Sequence, residues 1–175
     1  MPIIDGPAIV TRPERPYLGI RTVTPFRGML AVRDRLMAEL YDRLGAGATG
    51  NTFLRLHVID MAGPMDIEVG VLTGAADDGG DRVRAGVLPG GRYATLTYVS
   101  HARRANRTLL EWARDTGGVR LDRWDEPAGD RFACRYEEYL TDPRTEPRKT
   151  TWAVGLNIRV ADGSAGSRSA ANPTR

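Results

Sequence analysis

The densest set of side chains able to do chemistry lies in residues 132–160. Tyr136, Glu137, Glu138 and Tyr139 follow one another, so two carboxylates stand between two phenols. Trp152 then opens a run in which Val154, Leu156, Ile158 and Val160 alternate with other residues. A carboxylate beside aromatic faces is a physical receptor for flat organic cations. Ring faces attract the cation, the carboxylate neutralises it, and both effects strengthen away from water. The same carboxylate, held beside a bound molecule, can orient or deprotonate a water. Strict alternation over 131–140 places Phe132, Cys134, Tyr136, Glu138 and Leu140 on one face, and Ala133, Arg135, Glu137 and Tyr139 on the other. Alternation alone leaves open which glutamate lines a pocket, because a bulge near the strand end reverses the assignment.

These residues need elements to position them. The pair 131–140 and 151–160 reads as two strands around a Thr141-Asp142-Pro143 turn. Upstream, one pattern occurs twice. A short apolar strand at 17–23 precedes a helix over 29–44, with Met29, Val32, Leu36, Leu40 and Leu44 at helical spacing. Gly45-Ala46-Gly47 ends it, and strands at 53–59 and 65–72 flank a Gly63-Pro64 turn. A Gly- and Asp-rich loop, 74–81, separates the halves. Strands at 83–88 and 92–99 then lead to a second helix over 102–116, with Ala102, Ala105, Leu109, Trp112 and Ala113 on one face. After a loop containing Trp124 and Pro127 comes the closing strand pair. Val69-Gly70-Val71 and Val154-Gly155-Leu156 fall at equivalent places in the last strand of each half, Ile67 standing where Trp152 stands.

The expected architecture is therefore α+β: two strand-helix-strand-strand (βαββ) repeats, about 17–73 and 83–160, related by a pseudo-two-fold. They form one antiparallel sheet with both helices on one face and a central ligand cleft where the halves meet. Residues 1–16 read as an extended N-terminal segment and 161–175 as a disordered tail.

At 175 residues with 41% hydrophobic side chains and a net charge of +3, the chain suits a single globular domain. No apolar run is long enough to span a bilayer, and the N-terminus has no signal-peptide pattern. The lone Cys134 excludes an intrachain disulfide, so a cytoplasmic protein is expected. Arg103, Arg104 and Arg107 read as the solvated face of a helix, not a nucleic-acid site, since no aromatics interleave with them. No helix-turn-helix or zinc-finger pattern appears, so no nucleic-acid or membrane partner is expected. His57 and His101 are isolated, which argues against a metal site. Gly90-Gly91 joins a strand, not a helix, so no phosphate cradle and no cofactor are expected. Asp60, Asp66 and Glu68 read as surface carboxylates.

Three segments carry a resemblance: Leu88-Pro89-Gly90-Gly91-Arg92-Tyr93-Ala94, then Tyr136-Glu137-Glu138-Tyr139-Leu140-Thr141-Asp142-Pro143, and the closing strand from Trp152. On these the chain resembles the GyrI-like small-molecule-binding domain, which also serves as the effector-binding domain of AraC- and MerR-type multidrug-sensing activators. The likeness covers about 17–160 and implies the same two-repeat fold. It implies a cleft that takes hydrophobic or cationic aromatic molecules, with Glu137 matching the family's glutamate and Trp152 a position that is Tyr in the drug sensors. Tyr136, Tyr139, Tyr98 and Trp112 are the further candidate walls, and Tyr17, Phe26 and Phe53 candidates for closing the other side. The sequence departs from the family at Tyr98-Val99-Ser100-His101-Ala102, where many members carry His, Gly and a nearby Tyr. With no DNA-binding module beside it, the drug-sensor likeness extends only to ligand binding, with sequestration or drug resistance as its use. Some relatives are hydrolases that open the cyclopropane ring of DNA-alkylating antibiotics, which would make Glu137 the catalytic base. The family name implies a third role, inhibition of a topoisomerase.

Overall fold

The computed structural model describes residues 2–74 and 80–163. Most of the expected 74–81 loop and of the 161–175 tail lies outside the described residues. Ten strands and two helices follow one another as β1 (Ile3–Arg12), β2 (Arg15–Pro25), α1 (Met29–Leu44), β3 (Thr52–Ile59), β4 (Pro64–Leu72), β5 (Arg84–Leu88), β6 (Gly91–Val99), α2 (Ala102–Asp115), β7 (Arg123–Glu126), β8 (Gly129–Phe132), β9 (Arg135–Tyr139) and β10 (Ala153–Arg159). The chain is α+β, as expected.

All strand pairs are antiparallel and the sheet order is β1-β6-β10-β9-β3-β4-β2-β5. Reading outward from the β9–β3 seam, each side presents the second, third and first strand of one strand-helix-strand-strand unit. Helix α1 lies over β2 and β4, and α2 over β6 and β1. Met29, Leu36, Met37 and Leu40 from α1, and Ala105, Leu109 and Ala113 from α2, join one core cluster with the inner sheet face. Both helices therefore cover the same face, one on each side of the seam. The sequence spacing places α1 at its observed bounds, and Gly28 (φ 86°) and Gly45 (φ 50°) close it in left-handed conformations that a Cβ would strain.

Three parts of the fold differ from the sequence expectation. Residues 3–12, without clear periodicity, form the edge strand β1 along β6. Their register shifts between Ile3 and Asp5 and again between Asp5 and Ala8, which breaks the alternation. The expected Trp124–Pro127 loop is a hairpin, β7–β8, and β8 extends the sheet beside β3. The expected strand over 131–140 is interrupted at Ala133-Cys134, between β8 and β9. Phe132 consequently packs on the helix side and Cys134 on the other, though alternation put them on one face.

The outer sheet face carries its own cluster of Tyr17, Phe53, Leu88, Tyr93, Cys134 and Tyr136. Gly70 makes it possible, since a Cβ there would sit 2.4 Å from the Phe53 ring. Polar groups are tied down alongside. Glu68 accepts from Tyr17 Oη at 2.8 Å and lies 2.9 Å from His57 Nε2. Glu138 meets Arg15 at 2.9 Å.

Candidate ligand-binding cleft

One register row crosses the sheet under the helices: Ile20, Val69, Leu54, Glu137, Leu156, Leu96. Every member but Glu137 is aliphatic and at most 2% exposed. The row thus places a single carboxylate at the centre of an apolar surface, beside the seam. Above it opens a cleft of about 1470 Å³, walled by both helices and lined in part by Tyr98, Tyr139, Trp152, Leu56 and Val154. That volume exceeds the roughly 300–1,000 Å³ usual for pockets that take drug-sized ligands.

Neighbours on β9 flank Glu137 on the same face. Tyr139 Oη donates to Glu137 Oε2 at 3.4 Å. Its ring meets Trp152 edge-on, with centroids 5.5 Å apart. The Trp152 indole N–H donates to the Glu146 carbonyl at 2.8 Å, fixing the ring. Arg33 reaches in from α1, its guanidinium 5.3 Å from the Tyr139 centroid and 5.7 Å from that of Trp152. Arg33 also donates to Tyr139 Oη and to Asp34, and Asp34 in turn pairs with Lys149 of the β9–β10 connection. On the other side Arg135 donates to Asn106 Oδ1 of α2 at 2.7 Å and stacks over Phe132 at 4.8 Å.

These contacts set the electrostatics. Burial pushes the Glu137 carboxyl above its ordinary value, and the charges of Arg135 and Arg33 oppose that only in part. Burial pulls Arg135 down to about 10, where it is still cationic at neutral pH. Burial, with Glu137 adding to it, raises both Tyr98 and Tyr139, so the phenols stay neutral donors. The Tyr98 side chain is 95% buried, yet its hydroxyl meets no hydrogen-bond partner among the described residues. It faces the cleft as an open polar contact. Ser100 and His101, at φ 56° and 57°, carry the chain along the cleft edge into α2 in a conformation disfavoured for non-glycine residues.

Of the residues singled out from sequence, Glu137, Tyr139, Trp152, Tyr98 and Phe26 line the cleft. Tyr136 does not. Alternation along β9 turns it to the outer face, opposite Glu137 and Tyr139, against Phe53 and Tyr93. Trp112 packs on the core from α2 without reaching the cleft, and Tyr17 and Phe53 belong to the outer cluster. Glu68 is no surface carboxylate but is 8% exposed in the outer-face network. Arg103 and Arg107, read from sequence as a solvated helix face, are exposed and line the cleft, as do Arg33, Arg135 and Asn106, whose part in the site the sequence reading missed. One signal was legible: Arg33 stands four residues after Met29, on the stripe that is otherwise apolar.

No family model and no curated protein matches the chain. Among solved structures, the EcmrR C-terminal domain superposes with a TM-score of 0.59 at 15% identity, over 91% of this chain and 99% of that one. The chain shares the fold of that domain. The same fold recurs in SAV2435 bound to tetraphenylphosphonium (TM-score 0.57, 11% identity, 89% of this chain and 93% of that one). It recurs in a hydrolase from Listeria innocua (TM-score 0.55, 15% identity, 88% and 91%). Against EcmrR in its complex with DNA, the match covers 87% of this chain but 56% of that one, at 16% identity and a TM-score of 0.61. At such identities the likeness is one of fold.

Proposed function

We propose that the protein captures lipophilic aromatic small molecules in the cleft between its helices. The carrying observation is Glu137, the one carboxylate in an aliphatic row, facing a large cavity beside Tyr98, Tyr139 and Trp152. A carboxylate whose burial is only partly offset there costs stability, which a sequence retains more readily for binding or catalysis than for packing. Ring faces supply stacking surface, and Glu137 supplies a countercharge or hydrogen-bond acceptor for cationic members of the class. The neighbour bound to tetraphenylphosphonium supports a cleft of this fold taking an aromatic cation. Fluorescence anisotropy with neutral Nile red and cationic rhodamine 6G tests the reading. Both are expected to bind saturably. Glu137→Gln is expected to weaken rhodamine 6G by about 1.5–3 kcal/mol, the worth of a charge-assisted contact, and Nile red far less. Equal affinities in parent and variant for both dyes contradict the electrostatic part, and absence of saturable binding contradicts the whole.

The same carboxylate favours a second reading. Held above its ordinary pKa beside the Tyr139 hydroxyl, Glu137 is suited to take a proton from water attacking a bound, strained ring. A hydrolase among the fold neighbours is in keeping with this. Mass spectrometry of a cyclopropane-bearing alkylating antibiotic after incubation decides it. A water adduct formed catalytically, and lost in Glu137→Gln, marks a hydrolase; unchanged drug marks a binder.

A further inference from the structure

The charge of the cleft is unlike that of the chain. Nine Arg or Lys side chains line it against two carboxylates, Glu111 and Glu137, in a protein whose net charge is +3. Several of these cations are answered just outside the lining. Asp34 stands behind Arg33 and Lys149, Asp115 behind Arg114, and Asp125 with Asp130 behind Arg123. Glu137 itself has Arg33 and Arg135 as its nearest charges. The excess that remains is carried by Arg27, Arg103 and Arg107, exposed side chains at the mouth with no carboxylate partner among the described residues.

Placement strengthens that excess. Arg27 immediately precedes α1, while Arg103 and Arg107 occupy its counterpart α2 in the first two turns. Both helices start at the cleft: Gly28, Met29 and Leu30 line it from one side, and Ser100, His101 and Ala102 from the other. Neither helix has an acidic residue in its first turn or a side-chain cap. Two helix N-termini, each with the positive end of its dipole uncompensated, thus share the mouth with three guanidiniums. Deeper in, the lining is apolar and aromatic, with the Tyr98 hydroxyl open.

We propose that the ligands of this cleft are aromatic acids: flat ring systems bearing a carboxylate, sulfonate or phosphate. The acid group lies at the mouth among Arg27, Arg103 and Arg107, and the ring system lies inward over Tyr98, Tyr139 and Trp152. This rests on the small-molecule-binding reading and narrows its substrate class. Purely cationic ligands bind more weakly here, because a cation entering the mouth passes three unanswered positive charges before it reaches a carboxylate that two guanidiniums already face. A base elsewhere on the ring system is tolerated toward Glu137, so amphoteric molecules fit as well.

Three xanthene dyes of nearly the same shape test this by anisotropy: fluorescein as the anion, rhodamine B with a free carboxylate on a cationic ring, and rhodamine 6G with that carboxylate esterified. Under mildly acidic conditions, where fluorescein carries its charge on the carboxylate and its xanthene ring is neutral, it is expected to bind about tenfold more tightly than rhodamine 6G, with rhodamine B between, as three exposed charge contacts allow. Raising salt from about 50 to about 500 mM is expected to shrink the difference, since these charges are solvent-exposed. The double variant Arg103→Gln/Arg107→Gln is expected to bring the two dyes within about threefold of each other. Arg104→Gln, on the same helix but outside the cleft lining, is expected to keep the parent order. Tightest binding of rhodamine 6G, or a preference for fluorescein unchanged in the double variant, overturns the proposal while leaving the binding reading intact. If no dye binds saturably, the binding reading falls and the proposal with it.

Discussion

At position 137 a carboxylate stands where its register neighbours on both sides, Leu54 and Leu156, are leucines, and that placement has a thermodynamic sign. Burial raises the folded-state pKa of Glu137 above its ordinary 4.5. Between that value and the raised one, the folded protein holds more proton than the unfolded chain, so stability falls as pH rises through the window and stays lower above it. Glu137→Gln removes the penalty. The variant is expected to melt higher than the parent at neutral pH, with the margin fading below about pH 4.5 as the parent's carboxyl becomes neutral in both the folded and unfolded states; a lower melting temperature at neutral pH contradicts this. Asp34 behaves oppositely. Burial would raise it, but Lys149 and Arg33 together hold its carboxyl below the ordinary range. Its contribution is present above the unfolded value and is lost as pH falls through the folded one. Asp34→Asn leaves the Arg33 guanidinium, 8% exposed, without its acid, and urea unfolding at neutral pH is expected to show a loss of about 1–3 kcal/mol.

Among the elements, the β8–β9 break decides which side of the sheet Phe132 takes. Without it, strict alternation would keep Phe132 with Tyr136; with it, Phe132 lies under the Arg135 guanidinium and Tyr136 faces away. Nothing in Ala133-Cys134 announces that break, because neither residue is a Gly or Pro. Helix α1 was legible to the residue, since Met29, Leu36 and Leu40 repeat at helical spacing and glycines stand at both ends. Strand β1 was not, because its partner is distant in sequence and its register slips twice. Of the site, Glu137, Tyr139 and Trp152 could be read from one short stretch of sequence. Arg33 was marked only by its place on an otherwise apolar stripe, and the parts of Asn106 and Arg107 could not be read, since α2 brings them to β9 only in the folded chain. The glycine echo also has a physical content. Gly70, Phe53, Glu138 and Gly155 share one register row on the outer face. Gly70→Ala would force a Cβ to 2.4 Å from a fully buried Phe53 ring, and chemical denaturation is expected to show a cost of about 1–3 kcal/mol from overpacking.

Over the whole molecule, two halves each supply one helix and one sheet flank, and the seam between them brings together both helix N-termini, Glu137 and the aromatic wall. A ligand there touches both halves, so its binding energy adds to the stability of the assembled fold. At a free concentration near 100 times its dissociation constant it contributes about 2.7 kcal/mol, which for a domain of this size is a rise of roughly 5–10 °C in Tm. Differential scanning fluorimetry with fluorescein is expected to show that rise, and a smaller one in Arg103→Gln/Arg107→Gln; no shift at saturation contradicts binding to the folded state. The molecule also offers an internal alternative, because the outer face has its own aromatic cluster around Tyr93 and Tyr136. A crystal structure with bound fluorescein separates the two faces most directly. The xanthene ring is expected against Trp152, Tyr139 and Tyr98, within contact of Glu137, with the dye's carboxylate toward Arg103 and Arg107. Dye lodged on the outer face, or a cleft left empty in crystals of protein that binds the dye in solution, contradicts it.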